Sequence, residues 1–464
     1  MINNRAVPKT SRFIQCNSNF ILSINLNNKG FFIMRRILVG IAGHYKNLQR
    51  IILKLRGMTP ATRSNRRVTT GEVWDDFCDT LKGAGANILK HKDLDHRTKA
   101  EGYRYLSRLI RAGLEAFVEY ADPAAPVLRR MVHETVKMGA DNPDNYYENA
   151  IISGKYEYRI TGNRGTVHFL TFSTHEGGYG QSGGLPPSGL LDSRELIVQE
   201  DGSLEITLST KPQQGNWLPM EHGTGMVMVR QTFLDKEKEN PANLKIKQIN
   251  SVFNEGAVSP GFCDDEKSKN PPSTVLSRNP LCPEPLSPEP LCPEPLSPQR
   301  IDEGLMKAAD LVAGATFLFS RWTQKFQAHA NKLPRFDPEV STAAGGDPEI
   351  AYYHSFWRLK QDEALVIEAT PPPCEHWNFQ LNNFWMESLD YRYFRIHLNK
   401  ETAVYREDGS VVVVVAHKDP GVPNWLTTTG LPMGTMCWRW IRAIEHPVPQ
   451  TRVVRLSAFK QQQM

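Results

Sequence analysis

Glu200-Asp201-Gly202-Ser203-Leu204-Glu205-Ile206-Thr207-Leu208, followed by Gly215-Asn216-Trp217-Leu218 and Met226-Val227-Met228-Val229-Arg230, is replayed near the C-terminus. There it reads Glu407-Asp408-Gly409-Ser410-Val411-Val412-Val413-Val414-Val415, then Pro423-Asn424-Trp425-Leu426 and Met436-Cys437-Trp438-Arg439-Trp440. The offset stays near 207 residues, so one unit is used twice. In each copy Asp-Gly is a tight-turn signal that needs positive φ, and it opens a strand-like run. Those glycines read as structural. Asn-Trp-Leu has two readings: a corner in which Asn caps the turn and Trp plugs the sandwich end, or a ligand-facing pair.

Outward from these landmarks the hydrophobic period is two. Residues 156–160 and 166–172 alternate around Gly162-Asn163-Arg164-Gly165, a hairpin signal, and 204–208, 226–233 and 244–249 are bounded by Gly, Pro, Asn or Asp. Strands are likewise expected at 364–370, 375–381, 411–417 and 435–441. Residues 144–147 and 347–353 place acidic and paired Tyr residues ahead of the first strand of each copy. Before the first copy the period is helical, through Val73, Phe77, Leu81, Ala84 and Ile88, then Tyr103, Leu106, Ile110, Leu114 and Phe117. Asp122-Pro123 reads as the cap and first turn of a third helix running towards Gly139. A long helix carries Leu305, Ala309, Val312, Phe319 and Phe326 on one stripe.

The fold class is therefore mainly β with α-helical additions (α+β): two pseudo-repeated antiparallel β-sandwich or jelly-roll-like units, an N-terminal helical layer and a central long helix. The expected organisation is a basic tail over 1–71, helices over 72–140, the first unit over 141–263 and a Pro-rich insertion over 264–300. A long helix and linker over 301–346, the second unit over 347–456 and a short tail over 457–464 complete it. Proline at alternate positions of Leu281-Cys282-Pro283-Glu284-Pro285-Leu286-Ser287-Pro288 and its echo forbids ladder and helix alike. The insertion reads as an exposed polyproline-like loop dispensable for folding, or as a docking ligand for a Pro-recognising partner.

The net charge of +5 divides unevenly: 13 Lys/Arg and no Asp or Glu fall in residues 1–71, leaving 42 basic against 50 acidic residues beyond. An acidic body argues against nucleic acid as a partner, which needs clustered cations on the folded part. The tail fits an extended or misassigned start with Met34 or Met58 as initiator, or a transit-like or membrane-surface segment; Met34-Arg35-Arg36 and the short apolar run after it only imitate a signal peptide. No run reaches the ~18 apolar residues of a membrane span. Seven irregularly spaced Cys, with no C-x-x-C, favour reduced thiols and a cytoplasmic setting.

Several motifs lack the context their chemistry requires. Gly177-Gly178-Tyr179-Gly180-Gln181-Ser182-Gly183-Gly184 matches both G-x-G-x-x-G and G-x-S-x-G, but Leu185-Pro186-Pro187 follows where each motif needs a helix. A glycine-rich lid over a site stays open. His133-Glu134 lacks the second His of a zincin helix, and is read as a helix end with His133 partly buried, or as an acid–base pair. The Asp/Asn run at 141–145 reads as a turn cluster ahead of a hard-cation site. No metal site is assigned, and any cofactor is left unspecified.

Residues 375–392 are the densest polar and aromatic stretch. On a strand His376, Asn378 and Gln380 share one face, opposite Trp377 and Phe379. Buried amides and imidazoles need partners, supplied either by an internal polar network or by a ligand. His417 and Asp419, at the end of a strand in the same copy, could meet that face and do acid–base work. The catalytic candidates are therefore His376, His417 and Asp419; the ligand-binding candidates are Asn378, Gln380, Asn383, Trp385, Asp390, Asn424 and Trp425.

Asp141-Asn142-Pro143-Asp144-Asn145, Gly215-Asn216-Trp217-Leu218, Trp377-Asn378-Phe379-Gln380-Leu381, Trp385-Met386-Glu387-Ser388-Leu389-Asp390-Tyr391 and His417-Lys418-Asp419-Pro420-Gly421-Val422-Pro423-Asn424-Trp425 together resemble a bacterial family called domain of unknown function 1214. The resemblance covers about 72–456 apart from the Pro-rich insertion, and the basic first 57 or so residues depart from it. It implies a β-sandwich or jelly-roll-like fold and brings no settled activity.

Six of nine Trp fall in the second copy, where flat indole faces suit stacking on rings. That bias favours an enzyme, or an enzyme-like protein, acting on a small polar or glycan-like substrate there. The rivals are a non-catalytic small-ligand or carbohydrate binding module and an interaction scaffold. Oligomeric state is not legible.

Overall fold

Period-two alternation turns one side of each strand into a core, and both copies resolve it in the same way. The computed structural model describes residues 59–178, 184–250 and 295–460. The expectations for residues 1–58, for the centre of the glycine-rich run and for the Pro-rich insertion up to 294 lie outside them. In the first copy the strands are β1 (Arg129–Val132), β2 (Asn145–Ile151), β3 (Glu157–Asn163), β4 (Phe169–Glu176), β5 (Pro187–Asp192), β6 (Ser203–Ser209), β7 (Trp217–Pro219), β8 (Thr224–Thr232) and β9 (Asn243–Asn250). They form two sheets, ordered β1-β2-β8-β4-β5 and β7-β6-β3-β9.

The second copy contains β10 (Ile350–Arg358), β11 (Glu363–Ala369), β12 (His376–Leu381), β13 (His397–Asn399), β14 (Val411–Ala416), β15 (Trp425–Thr427), β16 (Met433–Ile441) and β17 (Gln450–Arg455). Its sheets run β10-β16-β12-β13 and β15-β14-β11-β17. Equating β2 with β10 and continuing in chain order makes the two topologies identical, with β1 added at an edge. The protein is an α+β chain of two repeated sandwiches.

Alternate residues fill each sandwich: Tyr158, Ile206, Val227 and Val229 in the first, Leu365, Val413, Trp377 and Trp438 in the second. Trp377 and Trp438 stack at 4.9 Å with an interplanar angle of 4°. Each such fully buried side chain contributes roughly 1.5–3 kcal/mol.

The hairpin expected between 156–160 and 166–172 is not formed. β3 pairs with β6 and β9, whereas β4 pairs with β5 and β8, so the turn between them is a corner from one sheet to the other. Gly165 turns it at φ 62°, where a Cβ would sit 2.5 Å from the carbonyl oxygen of Asn240. Alternation tells which face is buried but not which strand is the neighbour.

Helices α1 (Pro60–Thr70), α2 (Glu72–Leu89) and α3 (His96–Leu114) precede the first sandwich, and α4 (Pro298–Phe326) and α5 (Pro338–Ala343) precede the second. Asp95 caps α3 through Thr98 N, and Ser297 caps α4 through Arg300 N. α2 lays Val73 and Phe77 on Leu305, Ala308 and Ala309 of α4. At Gly113 of α3 a Cβ would stand 3.0 Å from the Ala308 Cα, so only glycine fits this helix crossing without a shift.

Two further expectations change. Residues 122–139 hold no helix: Asp122 Oδ1 accepts from Ala124 N in a tight turn, and Arg129–Val132 continue as β1 along the free edge of β2. Pro126, four residues after Asp122, removes the N–H that a first helical turn would need there. Residues 60–70, grouped with the basic tail by charge, form α1, because Arg67 reaches Asp302 on α4 at 3.0 Å and Ser64 reaches it at 2.8 Å. Composition does not reveal a partner so distant in sequence.

Asn216 and Asn424 do the same work in the two repeats. Each donates to two carbonyls, of Ile197 and Glu205 or of Val404 and Val412, and accepts one N–H, from Ile197 or Val404. Each following Trp donates to a carbonyl at the end of the adjoining strand, Ser209 or Ala416. Asn424→Ala orphans three backbone groups and is expected to cost roughly 1–3 kcal/mol in urea unfolding, with Asn216→Ala behaving alike. An unchanged midpoint in both variants would show that these side chains do not hold the corners.

Candidate functional site

On β8 Val227 and Val229 enter the core, so Met226, Met228 and Arg230 point out of the opposite face. By the same alternation β2 presents Tyr147, β10 presents Tyr352 and His354, and β16 presents Arg439. Register places Tyr147 beside Arg230 and Tyr352 beside Arg439. The outer faces of the two repeats thus carry the same Tyr–Arg pair, and both pairs line one cavity of about 440 Å³ between the sandwiches. Met138, Phe319 and Trp322 supply apolar wall.

The arginines clasp the repeats reciprocally. Arg439 Nη2 donates to Ala140 O at 2.6 Å, and Arg230 Nη2 donates to Gly345 O at 2.6 Å. Ala140 and Gly345 each precede their repeat's Tyr by seven residues, and both have left-handed φ, 59° and 87°. Their other hydrogen bonds also match: Arg230 Nη1 to Ser173 Oγ, Arg439 Nη1 to Gln380 Oε1 and Asn378 Oδ1. All these acceptors are neutral. Among the described residues neither arginine forms an ion pair with a carboxylate. Of the carboxylates lining the cavity, Asp141 accepts from Ser388 N and Oγ, and Asp347 caps its own turn at Glu349 N.

His354 is 5% exposed, stacks on Tyr352 at 5.4 Å and on Phe326 at 5.9 Å, and its Nδ1 has no hydrogen-bond partner. Burial, with the Arg439 charge added, lowers its pKa to about 3, so the ring is neutral at ordinary pH. Its Nε2 lies 4.0 Å from Cys437 Sγ, a thiol that burial pushes up to about 11, which leaves no thiolate to act as a nucleophile. Among the described residues no group of three His, Cys, Asp or Glu side chains converges on a metal position.

His376, Asn378 and Gln380 do share a face, opposite Trp377 and Phe379, and it is packed against the turn at 141–145. Asn378 donates to Asp144 Oδ2 at 2.7 Å and Asn142 Oδ1 at 2.8 Å; Gln380 donates to Asp141 O at 2.9 Å; His376 Nε2 lies 3.4 Å from Asp144. His417 stands just past β14 in the other sheet, bonded to Thr428 Oγ1 and Leu359 O, and Asp419 caps its own turn at Gly421 N. These two do not meet His376. Asn383 binds Glu387, Trp385 donates to Thr98 O on α3, Asp390 pairs with Arg392, and Asn424 and Trp425 hold their corner. None of the ten lines the cavity; Asn378 and Gln380 stand directly behind it and hold Arg439. Gly177 and Gly178 do line it, while His133 sits in a tight turn against Val136, outside any helix.

The cavity residues left a trace in the repeat itself. Aligning Met226 with Met436 sets Arg230 against Trp440, but sheet register equates it with Arg439. A one-residue slip exchanges core and outer faces, and it hid the paired arginines.

These features define a two-repeat β-sandwich protein with an arginine-clasped cavity between the repeats. Two stretches, 148–233 and 358–439, match the model of a family described as protein of unknown function (DUF1214), one in each sandwich. The crystal structure of an uncharacterized protein from Burkholderia cenocepacia is 45% identical with a TM-score of 0.74, covering 85% of this chain and 99% of that one. The VPA0106 protein from Vibrio parahaemolyticus is 13% identical with a TM-score of 0.39, covering 76% of this chain and 98% of that one. No curated protein matches. The chain belongs to the DUF1214 family.

Asp144 ties the polar face together. Burial would raise its pKa, but hydrogen bonds from His376 and His397 outweigh burial and hold it well below the usual carboxylate range. A depressed folded-state pKa contributes stability above the unfolded value of ~3.9 and loses it as pH falls further. Asp144→Asn is expected to lower stability by roughly 2–4 kcal/mol near neutral pH, with the gap closing below about pH 4. Urea midpoints across that range check it; a pH-independent gap would remove the carboxylate from the account.

Proposed function

We propose that the protein binds a small molecule, with an apolar body and a polar head, in the cavity between its repeats. The observation that carries this reading is the pairing of about 440 Å³ of space with polar groups from both repeats and a largely Met and aromatic wall. That volume lies within the usual range of small-molecule sites, which combine apolar lining with a few convergent polar groups. Met side chains adapt to ligands of irregular shape. Catalysis on a polar or glycan-like substrate at the second repeat would draw on His376 and His417 in one open space, and their separation on different sheets favours the binding role.

No helix among the described residues is long and apolar enough to cross a membrane. The test is titration of the full chain with the neutral fluorophore N-phenyl-1-naphthylamine. Met228→Trp, which fills the cavity from its β8 wall, should weaken binding about tenfold or more while the unfolding midpoint is retained. Equal binding by the two proteins, or no binding by the unaltered chain, would overturn the proposal.

A further inference from the structure

The inter-repeat cavity contains more hydrogen-bond donors than its own walls use. A guanidinium has five N–H donors, and the bonds of Arg230 to Ser173 and Gly345 occupy one on each Nη. The Tyr147 hydroxyl accepts from Asn142 N at 3.1 Å and that of Tyr352 accepts from Asp347 N at 3.2 Å. Each phenol oxygen is thus used as an acceptor, and its O–H remains to be donated. Both phenols feel both guanidinium charges, so the four groups lie within electrostatic reach of one another. The unpartnered His354 Nδ1 adds another polar atom at the same wall.

Charge points the same way. Both guanidinium groups are held by neutral acceptors, so neither fork carries a carboxylate, and Arg439 feels Asp144 and Asp141 only through space. Asp141 and Asp347 are engaged elsewhere, Glu303 accepts from Gln299, and Arg300 pairs with Asp122 at the α4 end of the cavity. The apolar surface begins beside the arginines: Met226 and Met228 precede Arg230 on β8, and Phe319 and Trp322 of α4 line the same cavity.

We infer that the cavity takes an amphipathic anion, a carboxylate on an apolar chain, with its head between Arg230 and Arg439 and its body against Met226, Met228, Phe319 and Trp322. Tyr147 and Tyr352 donate their hydroxyl protons to the same head. A planar carboxylate matches the fork geometry of a guanidinium, and charge-assisted bonds of this kind are about twice as strong as neutral ones. The inference rests on the proposed binding role and adds the ligand's charge.

The experiment displaces N-phenyl-1-naphthylamine from the full chain with decanoate, decyl sulfate, decanol and decyltrimethylammonium at neutral pH. Decanoate should displace the probe at a concentration about tenfold or more below decanol, and the cation should do worst. Decyl sulfate matching decanoate would assign the site to anions in general and overturn the carboxylate preference. Arg230→Gln, which retains an amide donor for Gly345, should erase the advantage of decanoate over decanol. If decanol equals or exceeds decanoate in the unaltered chain, the anionic ligand is wrong while the cavity still binds. If the probe itself does not bind, the binding role has failed. Should Arg230→Gln not fold, the ligand comparison on the unaltered chain still decides.

Discussion

Two guanidinium groups, each anchored in one repeat and donating to a backbone carbonyl that leads into the other, set the distance between the sandwiches. Arg439 reaches Ala140 and Arg230 reaches Gly345, with Gln380 and Ser173 steadying them from behind. Ala140 adopts a left-handed conformation to present its carbonyl, at a cost of about 1–2 kcal/mol for a residue with a Cβ. Its N–H is tied to Met386 O at 2.7 Å, which helps to hold that geometry. Because the clasp spans from arginine tips to turn carbonyls, the outer sheet faces are held apart. Space is left between them.

The duplication has diverged around this symmetric centre. In the second repeat the outer face of β12 carries His376, Asn378 and Gln380, which join the turn at 141–145 in a buried polar network. The matching β4 positions carry Phe169, Thr171 and Ser173, paired across to β8 where β12 pairs to β16. One side of the cavity is therefore backed by amides with committed bonds, and the other by an aromatic ring and two hydroxyls. Lys137, buried with three hydrogen bonds to Ser388 and Leu389, ties the segment between β1 and β2 to the second repeat.

Legibility followed the range of the interaction. The repeat, the core strands and the stripe of α4 are local patterns of period two or 3.6, and they read correctly because core packing selects apolar residues at those periods. The shared face of His376, Asn378 and Gln380 was legible for the same reason. What covers that face was not, since Asp144 lies more than two hundred residues away. The absence of a β3–β4 hairpin and the failure of a helix after Asp122 have a related cause: a turn signal names a reversal, whereas the partner strand is chosen by the rest of the sheet.

By itself, then, the chain's sequence determined that a β unit is used twice, that helices accompany it and which residues enter each core, because hydrophobic burial leaves a periodic imprint on neighbouring positions. Only the tertiary structure decided that Arg230 and Arg439 are equivalent, that His417 stands apart from His376, and that the shared space opens between the repeats. Those facts depend on register and on docking of surfaces far apart in the chain. A shift of one residue along a strand, invisible in composition, moves a side chain from core to cavity.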